Sequence, residues 1–175
     1  RLRQILDARL QTENQLRSRE RYLTLLKITT SDILNIKKPG EEYYFLLNHL
    51  INLFIADYGY LVQWDGPQEK AALIISTVWS EQADSKTIME SVASAVTDSV
   101  LRIKQTLAVN DVPNSQYAIS SSLPKESAFP IQSMLGIPFI ARGYKLGAAV
   151  LTYNIPHQFT PEEIDQAQQA GDQIA

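Results

Sequence analysis

The 175-residue chain contains no cysteine. That absence excludes disulfides, thiolate metal sites, a cysteine nucleophile and a thioether-linked chromophore. It fits a reducing compartment, and a cytoplasmic location is expected. Histidine is scarce too: only His49 and His157 occur. Neither has a partner at metal-ligand spacing, so half-buried or surface roles are expected of both. No apolar run approaches the ~20 residues of a membrane helix, and no signal-peptide pattern follows Arg1. The serine run 120–122 has no histidine near it in sequence, and no nucleophile-elbow pattern is present. No enzymatic set is legible, and no metal is expected.

What is present is an ordinary globular composition, 45% apolar and 20% charged. The net charge of −3 hides an asymmetry. Residues 1–40 carry nine basic and four acidic residues, so the remainder is strongly acidic. An acidic globular part argues against a nucleic-acid partner. The basic arm fits a solvated helix of mixed charge, or a segment that touches a membrane surface or RNA. Arg1 is not a start residue, and the chain stops at Ala175 inside a helical pattern. A segment cut from a longer protein, with neighbouring domains on either side, is the expectation.

Residues 1–37 lack Gly and Pro and are rich in helix formers. They predict one long helix, roughly 55 Å at 1.5 Å per residue. In a heptad frame Leu2, Leu16, Leu23, Ile5, Leu26 and Ile33 fill a and d positions, while Arg9, Arg19, Thr12 and Thr30 interrupt the seam. Such a patchy seam fits either a dimeric coiled coil or a lone helix packed on its own domain. Lys37-Lys38-Pro39-Gly40 is a helix stop, giving a division into 1–37 and 38–175. A second helix is predicted over 41–56, with a broad apolar stripe from Tyr43 to Ile55. Strands 58–64 and 71–79 flank the turn residues Asp65-Gly66-Pro67 and predict an antiparallel hairpin. A third helix is predicted over 87–104, then a short strand at 106–109. Residues 112–130 hold three of the eight prolines and read as a long loop; loops of that length are usually functional or mobile. Strands 133–142 and 144–153 meet at Gly143. Thr160, Pro161 and Glu163 occupy N-cap, N1 and N3 of a closing helix.

Leu135-Gly136-Ile137-Pro138, Leu146-Gly147 and Phe159-Thr160-Pro161-Glu162-Glu163 follow one another at spacings that resemble a GAF domain, and Val109-Asn110-Asp111-Val112 resembles its short strand after the central helix. The resemblance covers about residues 40–175. It implies an α+β fold with a central antiparallel sheet of five to six strands. Terminal helices cover one face; the middle helix and the long loop cover the other, over a small pocket. A PAS domain is the main rival, but the amphipathic helix before the first strand and the capped closing helix favour GAF.

The resemblance also implies a regulatory, non-catalytic module of a bacterial signalling protein, such as a sensor histidine kinase of a two-component system or a cyclic-di-nucleotide enzyme. It would bind a small-molecule ligand, form a homodimer through its terminal helices and relay a conformational change to covalent neighbours. The alternative is a ligand-free structural or dimerisation spacer that only couples helices between neighbouring domains. The family's bilin-attaching and methionine-sulfoxide-reducing branches need cysteines, and its cyclic-nucleotide signature Asn…Lys-Phe-Asp-Glu is absent. The long loop offers only Lys125 as a phosphate partner. No cofactor can therefore be named. Candidate ligand-binding residues are Tyr60, Trp79, Asp111, Tyr117, Phe129, Ser133, Met134 and Thr152. The aromatics and Met134 fit pocket walls or ordinary core. Asp111 fits a ligand acceptor or a turn that bonds its own backbone. Ser133 and Thr152 are polar positions in apolar strands.

Overall fold

A computed structural model describes residues 12, 41–77, 95–117 and 131–175. The long helix predicted over 1–37 lies outside the described residues except for Thr12, which is helical. Trp79, Phe129, the first half of the third helix and most of the long loop also lie outside them. The chain divides into two compact units, Arg1–Glu42 and Tyr43–Ala175. The second is an α+β unit with three helices on a five-stranded antiparallel sheet.

Helix α1 spans Glu41–Phe54, strand β1 Tyr58–Asp65 and strand β2 Lys70–Ser76. The described part of helix α2 covers 95–103. Strands β3 (Leu107–Val109), β4 (Ser133–Ala141) and β5 (Tyr144–Tyr153) precede helix α3, Pro161–Ile174. The strand order is β2-β1-β5-β4-β3, and every pairing is antiparallel. Helix α1 ends two residues before the predicted stop, because Ile55 takes a left-handed φ of 53°. That conformation is costly for a β-branched residue and ends the helical path. The β4–β5 turn uses Arg142 and Gly143, both at positive φ (51° and 84°). Two such residues make the turn whose twist matches paired strands.

Successive residues of a strand face opposite sides, and β4 and β5 are apolar on both. Both faces of the sheet must therefore be covered. On one, Leu61, Leu135, Ile137, Ala149 and Leu151 pack with Leu47, Leu50 and Phe54 of α1 and Ala167 and Ala170 of α3. On the other, Tyr60, Val62, Met134, Ala148 and Val150 pack with Val96, Val100 and Leu101 of α2. Gly171 lets α3 approach closely: a Cβ there would lie 2.4 Å from the carbonyl oxygen of Pro138.

The start of α3 is tied to the rest of the unit by short-range chemistry. Thr160 Oγ1 accepts from the Glu163 amide at 3.2 Å, and Glu163 Oε2 accepts from the Thr160 amide at 2.7 Å. This reciprocal pair satisfies two amides that the helix start leaves open. The other carboxylate oxygen of Glu163 meets His157 Nε2 at 2.9 Å. The His157 ring stacks on Tyr153, with centroids 4.9 Å apart. The Tyr153 hydroxyl donates to the Phe54 carbonyl at 2.9 Å. The ends of α1 and β5 and the beginning of α3 thus form one knot.

Candidate functional site

The α2 face of the sheet collects most of the described candidate residues. Tyr60 stands opposite Val150 on β5, and Val150 stands opposite Gly136 on β4. The next row is Tyr58, Thr152, Met134 and Val109. A Cβ at Gly136 would meet Val100 Cγ2 at 2.4 Å, so the missing side chain seats α2 on the sheet.

Two hydroxyls on this side have no hydrogen-bond partner. Tyr60 is 1% exposed and its phenol oxygen is unpaired; Thr97 on α2 is fully buried and its Oγ1 is unpaired. A buried hydroxyl left without a partner costs about 1–3 kcal/mol. Burial also pushes the Tyr60 pKa far above the usual tyrosine range, so the phenol is a neutral donor. Thr152 is buried on the same face and donates to the Tyr58 carbonyl at 3.4 Å. Met134 is fully buried beside it.

The remaining predicted residues divide. Tyr117 packs against the α2-side cluster, and its hydroxyl accepts from Gln116 Nε2 at 3.0 Å. Asp111 is exposed. Its carboxylate accepts from the Asn114 amide at 3.2 Å and from Asn114 Nδ2 at 2.9 Å, an Asx turn within its own loop. Ser133 neighbours Met134 in sequence but lies on the opposite side of the strand, paired with Tyr153. It is fully buried, donates to the Asn110 carbonyl and accepts from the His157 amide, both at 2.8 Å. Tyr60, Met134 and Thr152 are thus brought together, with Tyr117 at the margin. Asp111 and Ser133 are engaged in loop and strand geometry. Thr97 was missed by sequence reasoning; a threonine inside the apolar stripe of a helix was the only signal available.

Among the described residues no group of three or more His, Asp or Glu is placed to hold a metal. No described helix is long and apolar enough to cross a membrane.

The GAF domain family model matches residues 42–175. The chain belongs to the GAF family. This GAF domain resembles solved structures at low identity. One is the GAF domain of a phosphoenolpyruvate-protein phosphotransferase from Coxiella burnetii, 19% identical, with a TM-score of 0.64 over 87% of this chain and 92% of that one. Another is the GAF domain of a putative sensor histidine kinase from Pseudomonas syringae pv. tomato, 16% identical, with a TM-score of 0.62 over 92% and 87%. A third is free methionine-R-sulfoxide reductase from Neisseria meningitidis, solved with its substrate, 14% identical, with a TM-score of 0.60 over 88% and 92%. At these identities the likeness is one of fold. No protein of curated function matches the sequence. GAF is a regulatory domain fold, found as a sensory and signalling module in histidine kinases, chemotaxis proteins and phytochromes.

Proposed function

We propose that this GAF domain is a non-catalytic sensor of a small molecule within a multidomain, cytoplasmic bacterial signalling protein. The observation that carries this reading is the pair of buried, unpartnered hydroxyls, Tyr60 and Thr97, on the α2 face. A ligand offering polar atoms to them would recover free energy that the empty fold forgoes. Met134 and Thr152 flank them; Trp79, Tyr117 and Phe129 are the candidate outer walls, and Asp111 and Ser133 would act through the loops they brace.

The relay runs through the sheet to the terminal helices. Thr106 follows α2, and its amide donates to Gln168 Oε1 of α3 at 2.8 Å. The Tyr153–Phe54 hydrogen bond joins β5 to α1. A ligand that binds two positions of α2 with different affinity would shift α1 and α3. Homodimerisation through those helices would carry the shift to neighbouring domains.

A thermal-shift and native mass-spectrometry screen of metabolites tests the reading. A hit should raise Tm, and its affinity should fall about tenfold in Tyr60→Phe and in Thr97→Val, each of which removes one hydroxyl. A screen without hits would favour the ligand-free spacer. Sedimentation of the full chain that stays monomeric at high concentration would rule out the dimeric relay.

A further inference from the structure

A second site lies at the far end of the sheet, away from Tyr60 and Thr97. The pairing of β1 with β5 stops at Gln63 and Gly147. Strand β1 nevertheless runs on to Asp65, and β5 begins three residues earlier, at Tyr144. The two strands part there and open a cleft of about 370 Å³. That volume falls in the range of small-molecule pockets, roughly 300–1,000 Å³.

Two irregularities supply its rim. In β2 the register jumps from Ile75 to Leu73, so Ile74 is an extra residue. In β5 the register jumps from Gly147 to Lys145, so Leu146 is extra. β-Bulges turn a side chain out of the regular alternation and are frequent beside binding sites. Both extra residues line the same cleft, and both are partly open to solvent, Ile74 at 37% and Leu146 at 43%. The first turns of α1 and the last of α3 complete the wall with Leu46 and Ile174.

The charge in the cleft is one-sided. Among the described residues that line it, Lys145 is the only ionised side chain and none is acidic. Among the described residues Lys145 forms no ion pair; its Nζ rests 4.8 Å from the centroid of the Trp64 ring. That contact places the ammonium beside Trp64, which packs with the α2-side cluster, and among the described residues it has no counter-ion.

From the two bulges, the apolar wall and the lone cation, we infer that the cleft binds a small organic anion with an apolar body, such as a medium-chain or aryl monocarboxylate. The carboxylate pairs with Lys145, and the apolar body lies against Leu146, Ile74 and Ile174. A ligand seated there touches both terminal helices directly. This site is independent of the α2-face reading.

Methyl NMR on the full chain, with octanoate, octanol and octylammonium as probes, tests it. Octanoate should move the Ile74, Leu146 and Ile174 methyl signals and bind about fivefold more tightly than octanol, with octylammonium weaker still. Lys145→Gln should abolish the preference for octanoate over octanol, Lys145→Arg should keep it, and Tyr60→Phe should leave it unchanged. Equal binding of the three probes, an unchanged preference in Lys145→Gln, or shifts centred on Met134 would each overturn the proposal. So would cleft signals that follow protein concentration instead of octanoate, which would mean that a second copy of the chain covers the cleft.

Discussion

The two faces of the sheet are built from the same strands but satisfy their polar groups differently. On the α1/α3 face the Tyr153 hydroxyl reaches the Phe54 carbonyl, and Ser133 makes two hydrogen bonds. On the α2 face Thr152 donates to the Tyr58 carbonyl, but Tyr60 and Thr97 are just as deeply buried and make no hydrogen bond. A polar group in a structural core is normally paired, so an unpaired one marks stability left open to a ligand or an ordered water. The α1/α3 face reads as the scaffold and the α2 face as the adjustable side.

Substitution of the close-approach glycines should break this contrast most visibly. Gly171→Ala drives a methyl into the Pro138 carbonyl oxygen, a backbone atom that moves only if α3 or β4 moves. Overpacking costs about 1–3 kcal/mol and should outweigh the ~1 kcal/mol that alanine gains over glycine in a helix. Gly136→Ala meets a Val100 methyl instead, which yields with a small shift of α2, so its loss should be smaller. Urea denaturation of both variants orders the two faces by stiffness.

The tyrosine pair comes next. Tyr153→Phe strands the Phe54 carbonyl and should cost about 1–2 kcal/mol. Tyr60→Phe removes an unpaired hydroxyl and should leave stability unchanged or raise it by up to about 1 kcal/mol without ligand. Equal losses for the two would erase the distinction between the faces.

Alkaline pH sharpens the same comparison. Burial raises the pKa of both Tyr60 and Tyr153, and nearby Glu163 and Asp57 raise Tyr153 further. Each phenol stays protonated in the folded state after its unfolded counterpart has ionised. Their contribution is complete below the unfolded value of about 10 and is lost as pH rises from there, at up to ~1.4 kcal/mol per pH unit for each. Unfolding followed between pH 9 and 11 should show a shallower alkaline decline in either Phe variant. The N-cap is a local control outside the comparison: Thr160→Ala should cost about 1 kcal/mol, read as a lower Tm.

Local features were the most legible from sequence. The capping box at Thr160 and Glu163 formed where predicted because its partners are three residues apart. The β4–β5 strands and their turn at Gly143 were legible for the same reason. Ser133 and Met134 show where legibility ends. Adjacent strand residues must face opposite sides, so both could not enter one pocket, and only the pairing of β4 with its neighbours decided that Met134 is the one on the α2 face. The bulges at Ile74 and Leu146 were not legible, since each appears only when two distant strands are laid side by side. Tyr60 was visible as a candidate and Thr97 was not, and the absence of a hydrogen-bond partner at either belongs to the packed fold.

The amino-acid order by itself determined the succession of helices and strands over the described residues, the capped start of α3, and the family signature in Leu135–Pro138, Leu146-Gly147 and Phe159–Glu163. These depend on periodicity and on contacts within a few residues. Only the tertiary structure decided which strand residues share a face, which buried hydroxyls go unpaired, and where β1 and β5 part to leave Lys145 over a cleft. Those outcomes depend on register and burial, which are set by contacts between residues far apart in the chain.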